Sequence, residues 1–174
     1  MDNTPIQAWS NDLPQPAADS VPSTDGKPRV IPVFTTEIVV LPSDTDEFHH
    51  ANNTRYVHWM QELATAHSAA LGWDAPRYLS LGVMWVARRH IIEYISPAFV
   101  NDRLLVETWV YDLKKITSTR KYRFTRMRDG QRIAEAETRW AMVSAETGRP
   151  ARIPDGIGKI FIPLGTDPEP PSFA

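Results

Sequence analysis

The 174-residue chain contains no cysteine. That excludes disulfides, thiolate metal sites and a cysteine nucleophile. It has no apolar run approaching the roughly 20 residues that cross a bilayer. Its opening, MDNTPIQAW, lacks both a basic stretch and an apolar run, so no secretory signal is read and a cytoplasmic protein is expected. The formal net charge is only −2, so neither nucleic acid nor an anionic membrane is expected as a partner. Residues 1–30 hold four acids and two bases, and 163–174 two acids and no base, which leaves 17 bases and 15 acids over 31–162. The middle of the chain is thus mildly basic, at +2, which suits an anionic substrate. Glycine and proline are missing altogether from Ser43 to Leu71, so an uninterrupted helix fits there.

What fills that stretch organises the rest. Ser43 to Asn53 is polar, with Asp44, Asp46, His49, His50 and the Asn52-Asn53 pair. From there Tyr56, Met60, Leu63, Ala64, His67 and Leu71 recur at helical spacing. Asn52 or Asn53 can cap this helix by accepting from its first free N–H groups, and Gly72 can end it. A loop carrying carboxylates and imidazoles therefore leads to the positive end of a helix expected to be apolar around most of its circumference. Composition alone leaves a plainer reading open, in which the aspartates are turn residues and the histidines are exposed.

The remainder reads as strands. Phe34 to Val40 is β-branched and aromatic and stops at Pro42. Four strands follow the helix: Val83–Ile95, Leu104–Leu113, Ser118–Met127 and Arg132–Ala145, with an Asp129-Gly130 hairpin signal before the last. Short connections predict an antiparallel meander of all four. Ile157 to Ile162 is a further short apolar piece. Residues 1–30, with five prolines, and 163–174, with four, are expected to be flexible ends around one domain over 31–162. One helix cannot cover both faces of so wide a sheet, so a homodimer or higher homo-oligomer is expected. Its contact is an edge strand carrying Trp85 and Arg88-Arg89-His90.

The layout, with Asp44-Thr45-Asp46, His50, Asn52-Asn53, Tyr56 and Trp59, resembles the hotdog-fold thioesterases. The branch it resembles holds 4-hydroxybenzoyl-CoA thioesterase, bacterial short acyl-CoA thioesterases and plant acyl-acyl-carrier-protein (acyl-ACP) thioesterases. The similarity runs over about residues 34–160, and Tyr94, Pro97 and Asp102 fit that family's Y-x-x-P-x-x-x-x-D stretch. It implies an α+β hotdog fold, with an antiparallel five- to six-stranded sheet wrapped around one long central helix. It further implies Asp46 as the catalytic carboxylate and the backbone N–H of Asn53 as the group that polarises the thioester carbonyl. Asp46 and His50 match the ends of the plant enzymes' Asp-x-Asn-x-His arrangement, with Phe48 at its middle position.

The chemistry agrees with those residue types. A thiol leaving group has a pKa of about 8.5 and needs little protonation. Hydrolysis instead needs an activated water or carboxylate nucleophile and an oxyanion site, roles open to Asp46 and to the helix N-terminus, with His50 assisting. No metal and no organic cofactor is required. Tyr56, Arg88 and Arg89 are candidate substrate-binding residues, the arginines for the phosphates of coenzyme A. Lys114, Lys115, Arg120 and Arg126 are weaker candidates, as cations on strand faces normally meet solvent, and His67 is expected to be a hydrogen-bonded core residue. The expected reaction is hydrolysis of an acyl-CoA or acyl-ACP. The alternatives are a hotdog dehydratase or hydratase, whose His-Phe-Pro-Gly-like and Asp-x-x-x-x-His motifs are not matched, and a non-catalytic acyl-CoA-binding dimer.

Overall fold

Alternating inward and outward residues build the first strand, β1 (Val33–Val39), which buries Phe34, Thr36 and Ile38 on one face. In this computed structural model residues 30–173 are described, so the proline-rich segment before Val30 lies outside the described residues. The other strands are β2 (Val83–Tyr94), β3 (Arg103–Leu113), β4 (Thr117–Arg126) and β5 (Arg132–Ser144). They form one five-stranded sheet in the order β1-β3-β4-β5-β2, antiparallel throughout.

Only β3, β4 and β5 form the expected meander. β2 pairs with β5 at one edge, and residues 95–102 then cross to β3 on the far side. That crossing is anchored at both ends. Ile95 and Ser96 donate to the Ile133 carbonyl, while Val40 donates to the Asp102 carbonyl. Pro97 has no N–H for a ladder, and Ala98 is buried with its carbonyl accepting from Ala51. A tight β2–β3 hairpin is therefore replaced by a strap across the sheet end.

A bulge also corrects the expected alternation of β2. Register shifts between Ala87 and Arg89, leaving Arg88 unpaired. Trp85 and Ala87 lie opposite Met142 and Trp140, whereas His90, Ile92 and Tyr94 lie opposite Thr138, Ala136 and Ala134. All five β5 partners are even-numbered and share one face, so the odd residues before the bulge and the even ones after it point the same way.

The long helix α1 (Asn53–Ala70) lies on the inner face of the sheet and buries Tyr56, Trp59, Met60, Leu63, Ala64 and His67. Of these, Tyr56, Trp59, Met60 and Leu63 pack with Val106, Tyr122, Phe124 and Ile133 in the main core, each large side chain contributing about 1.5–3 kcal/mol by burial. Gln61, Thr65 and His58 stay exposed. The helix is thus buried along one stripe, not around most of its circumference. A second helix, α2 (Ala75–Ser80), occupies what the sequence suggested was a plain connector. Asp74 caps it through Arg77 N–H, and Pro76 is tolerated in its first turn. The piece after Pro154 forms a short 3₁₀ turn, Ile157–Lys159, with Ile157 and Phe161 buried.

Residues 164–169 run over the outer face of the sheet. Leu164 and Gly165 donate to the carbonyls of Val110 and Tyr111, Lys121 pairs with Asp167 at 2.8 Å, and Arg123 donates to the Pro168 and Glu169 carbonyls. Expected to be loose, this segment instead covers Trp109 and the buried Glu107–Arg123 pair.

Candidate active site

The loop before α1 folds into a small hairpin closed by a bridge between Thr45 and Ala51. Asp46 holds its tip. Its Oδ1 accepts from Phe48 N–H at 2.9 Å and from His50 N–H at 3.3 Å, and its own N–H donates to the His50 carbonyl. His49 completes the turn in the left-handed region, at φ +62°. Oδ2 of Asp46 has no hydrogen-bond partner among the described residues, and the side chain is half-buried. Asp46 is therefore a turn-forming carboxylate that keeps one oxygen free.

Asp44 has the opposite environment. It is 3% exposed, its Oδ2 accepts from Leu41 N–H at 2.9 Å, and its Oδ1 meets Arg55 Nε at 2.7 Å. Its backbone carbonyl accepts from Asn52 N–H. Asp44 thus ties the loop to the first turn of α1. Residue type alone carries the two aspartates as equals, and only the resemblance singles out Asp46; the fold separates the anchoring one from the accessible one.

Asn52 is the helix cap. Its side-chain oxygen accepts from Thr54 N–H at 2.9 Å and from the Thr54 hydroxyl at 2.7 Å. Asn53 is the first helical residue, exposed, and its N–H has no acceptor among the described residues, as the geometry of a helix start dictates. Tyr94 Oη donates to the Asn53 carbonyl at 3.1 Å, so β2 is tied to the same helix end. Tyr94 was legible only as part of a motif, not as a residue touching the helix start.

The remaining candidates disperse. The His50 ring packs edge-on against Phe99, with centroids 5.2 Å apart, and makes no hydrogen bond to Asp46; only its backbone does so. Tyr56 is 2% exposed and packs edge-to-face with Trp59, Tyr94 and Phe124. It is a core residue, and burial raises its phenol pKa further. Arg88, in the bulge, and Arg89, opposite Arg139, are exposed and form no ion pair among the described residues. They remain free cations on the β2 edge. Phe48, at the middle of the Asp46–His50 turn, is 70% exposed. Arg120 and Arg126 correct the expectation of solvated strand cations, because both are buried under α1 or the 95–102 strap. His67 is the bonded core histidine expected, Nε2 facing the Ile31 carbonyl at 2.9 Å and Nδ1 facing Arg120. Among the described residues no cluster of histidines and carboxylates suited to a metal ion occurs. Nor is any described helix long and apolar enough to cross a membrane.

Beyond the helix start, a cavity of about 360 Å³ opens between the C-terminal half of α1, α2 and the inner face of the sheet. Its walls include Leu79, Trp85, Val110, Leu113 and Phe161. The sequence pointed to none of this, since its lining comes from seven separate segments of the chain.

Known proteins share this architecture. An acyl-ACP thioesterase from Bacteroides thetaiotaomicron superposes with a TM-score of 0.69 at 21% identity, over 82% of this chain and 56% of that one. A 1,4-dihydroxy-2-naphthoyl-CoA thioesterase from Synechocystis gives 0.69 at 19% identity, over 78% of this chain and 99% of its own. These neighbours establish the hotdog fold. In sequence, the oleoyl-acyl carrier protein thioesterase 2 of Arabidopsis thaliana is 29% identical over 118 residues, 64% of this chain. This chain spans about a third of that protein's length, 32%. Residues 32–161 match the family described as the acyl-ACP thioesterase N-terminal domain, and the chain belongs to that family.

Proposed function

We propose that the protein hydrolyses an acyl thioester carried on acyl carrier protein or coenzyme A, releasing the free acid and the thiol. The family match over residues 32–161 carries this reading, and the free Asn53 N–H beside a loop with an accessible carboxylate supports it.

In this mechanism the thioester carbonyl oxygen lies at the first turn of α1. There the Asn53 N–H and the helix dipole stabilise the negative charge of the tetrahedral intermediate. Asp46 takes a proton from water as the water oxygen bonds to the carbonyl carbon. The carbon–sulfur bond then breaks, and the thiolate leaves with little need for a proton donor. Direct attack by Asp46, forming an anhydride that water opens, uses the same free oxygen. His50 contributes through its backbone N–H, which aims the Asp46 carboxylate. Arg88 and Arg89 offer charge to a phosphate-bearing carrier.

The working unit is a homodimer. The edge strand β2 is 12 residues long and exposes Ile91 and Tyr94, and a long edge with unpaired backbone groups favours pairing with a second strand.

The test is thiol release over a panel of acyl-CoA and acyl-ACP substrates of varied chain length, with aryl-CoA included. Turnover on one class supports the proposal. Saturable binding without release on every member would leave the acyl-CoA-binding alternative in its place.

A further inference from the structure

Three arginines of β4 are buried, and two have their own carboxylate. Arg123 meets Glu107 at 3.4 Å, and Arg126 meets Asp102 at 3.3 Å. Arg120 is 6% exposed and has no carboxylate within ion-pair distance among the described residues. Its Nη1 donates to His67 Nδ1 at 2.8 Å and to Thr108 Oγ1 at 3.3 Å. His67 cannot neutralise it. With Nδ1 accepting, Nε2–H donates to the Ile31 carbonyl and the ring is uncharged. Burial, with Arg120 adding to it, holds the His67 pKa well below its ordinary value. A guanidinium is not deprotonated in a protein, so a full positive charge stands in an apolar setting, which is costly without a counter-ion.

Arg120 also lines the 360 Å³ cavity. Most of the remaining wall is apolar, Val110, Leu113, Ile157 and Phe161 among it, with Gln61, Thr65, Ser68 and Ser118 as neutral polar residues and no carboxylate. A second wall residue, Trp73, has a buried indole N–H with no acceptor among the described residues. The cavity therefore combines an oily body with donors and one uncompensated cation.

We propose that this cavity binds an amphipathic carboxylate, its apolar body against Val110, Leu113, Ile157 and Phe161 and its two oxygens on the Arg120 guanidinium. Such a carboxylate has two sources: the far end of a carboxyl-terminated acyl substrate, or the free acid that hydrolysis releases. The first rests on the thioesterase reading; binding itself does not. The helix geometry fits a long ligand. Gln61, the cavity residue of α1 nearest the helix start, is eight residues beyond Asn53, roughly 12 Å along the axis.

Trp73, Trp85 and Trp140 line the cavity, so tryptophan fluorescence reports occupancy. The native chain is titrated with dodecanoate and with dodecanol, below micelle formation. Dodecanoate is expected to bind at least about tenfold more tightly, as a charge-assisted fork requires. Arg120→Met should abolish that preference and Arg120→Lys restore part of it. Thr65→Phe, on an exposed helix position lining the cavity, should block both ligands while circular dichroism stays native. Equal affinity for acid and alcohol, absence of saturable binding, or an undiminished preference in Arg120→Met would overturn the proposal. Should Arg120→Met fail to fold, the acid–alcohol comparison on the native chain and on Arg120→Lys decides.

A second arm separates the sources. Faster release from carboxyl-terminated dodecanedioyl-CoA than from dodecanoyl-CoA, lost in Arg120→Met, puts the carboxylate at the substrate's far end. Equal rates, with inhibition by dodecanoate that Arg120→Met relieves, put the released acid there. If no thioester is cleaved at all, the thioesterase reading fails and the binding arm still stands.

Discussion

Replacing Asp44 with alanine separates the anchoring aspartate from the accessible one. The buried Asp44 carboxylate makes two charge-assisted contacts, to Arg55 Nε at 2.7 Å and to Leu41 N–H at 2.9 Å. A hydrogen bond to a charged group is worth about 1.5–3 kcal/mol. The Arg55 side chain is 33% exposed, so solvent recovers most of its share, and that contact counts for about 1 kcal/mol. Leu41 N–H, at the start of the loop, loses its acceptor at about 2 kcal/mol. Asp44→Ala should therefore cost about 3 kcal/mol, or about 9 °C in Tm for a domain of this size. Asp46→Ala, at a half-exposed turn, should cost about 1 kcal/mol or less. Urea unfolding of the two variants, with the slope m checked for constancy, gives both values. Equal losses, or a larger one at Asp46, would refute the division of roles between these carboxylates.

Stability should fall as the solution is acidified below pH 6.5, because of His67. Its folded pKa is depressed by burial, so the unfolded chain binds the proton first, and between the two pKa values stability drops by about 1.4 kcal/mol per pH unit. His67→Gln, which keeps an acceptor for Arg120, should flatten that part of the curve in urea unfolding at pH 7.5, 6.5 and 5.5; an unchanged slope would contradict a neutral, buried imidazole. The second concerns assembly: light scattering should give twice the 19.7 kDa of one chain, and Ile91→Lys, charging the β2 edge, should shift it toward the monomer at micromolar concentration. A monomeric native protein would exclude the dimer.

Several features were legible because they depend on local physics. The span of α1 followed from an apolar period free of glycine and proline, and the chemistry of caps narrowed its start to Asn52 or Asn53, of which Asn52 is the cap. Strand ends fell within two residues of their true positions because Pro42, Asp129-Gly130 and Thr147-Gly148 punctuate them. What was not legible is long-range. The 95–102 strap depends on carbonyls of Ile133 and Asp102 meeting N–H groups far away in sequence. The bulge at Arg88 shifts a face by one residue and leaves no compositional trace. Arg120, Arg123 and Arg126 look like solvated strand cations until α1, the strap and residues 164–169 cover them. In the site, free N–H groups at the helix start were foreseeable from helix geometry, while Asn53 in particular came from the family resemblance. The division between Asp44 and Asp46 depends on which of them Arg55 and Leu41 reach.

The central claim is that the free oxygen of Asp46 does the chemistry, and Asp46→Asn isolates it. Asparagine keeps an Oδ1 to accept from Phe48 and His50, so the turn survives while the base is gone. On whichever acyl thioester the native chain cleaves, thiol release by the variant should fall by about 10²-fold or more, with the unfolding midpoint in urea nearly unchanged. Release at the native rate by that folded variant would contradict the account.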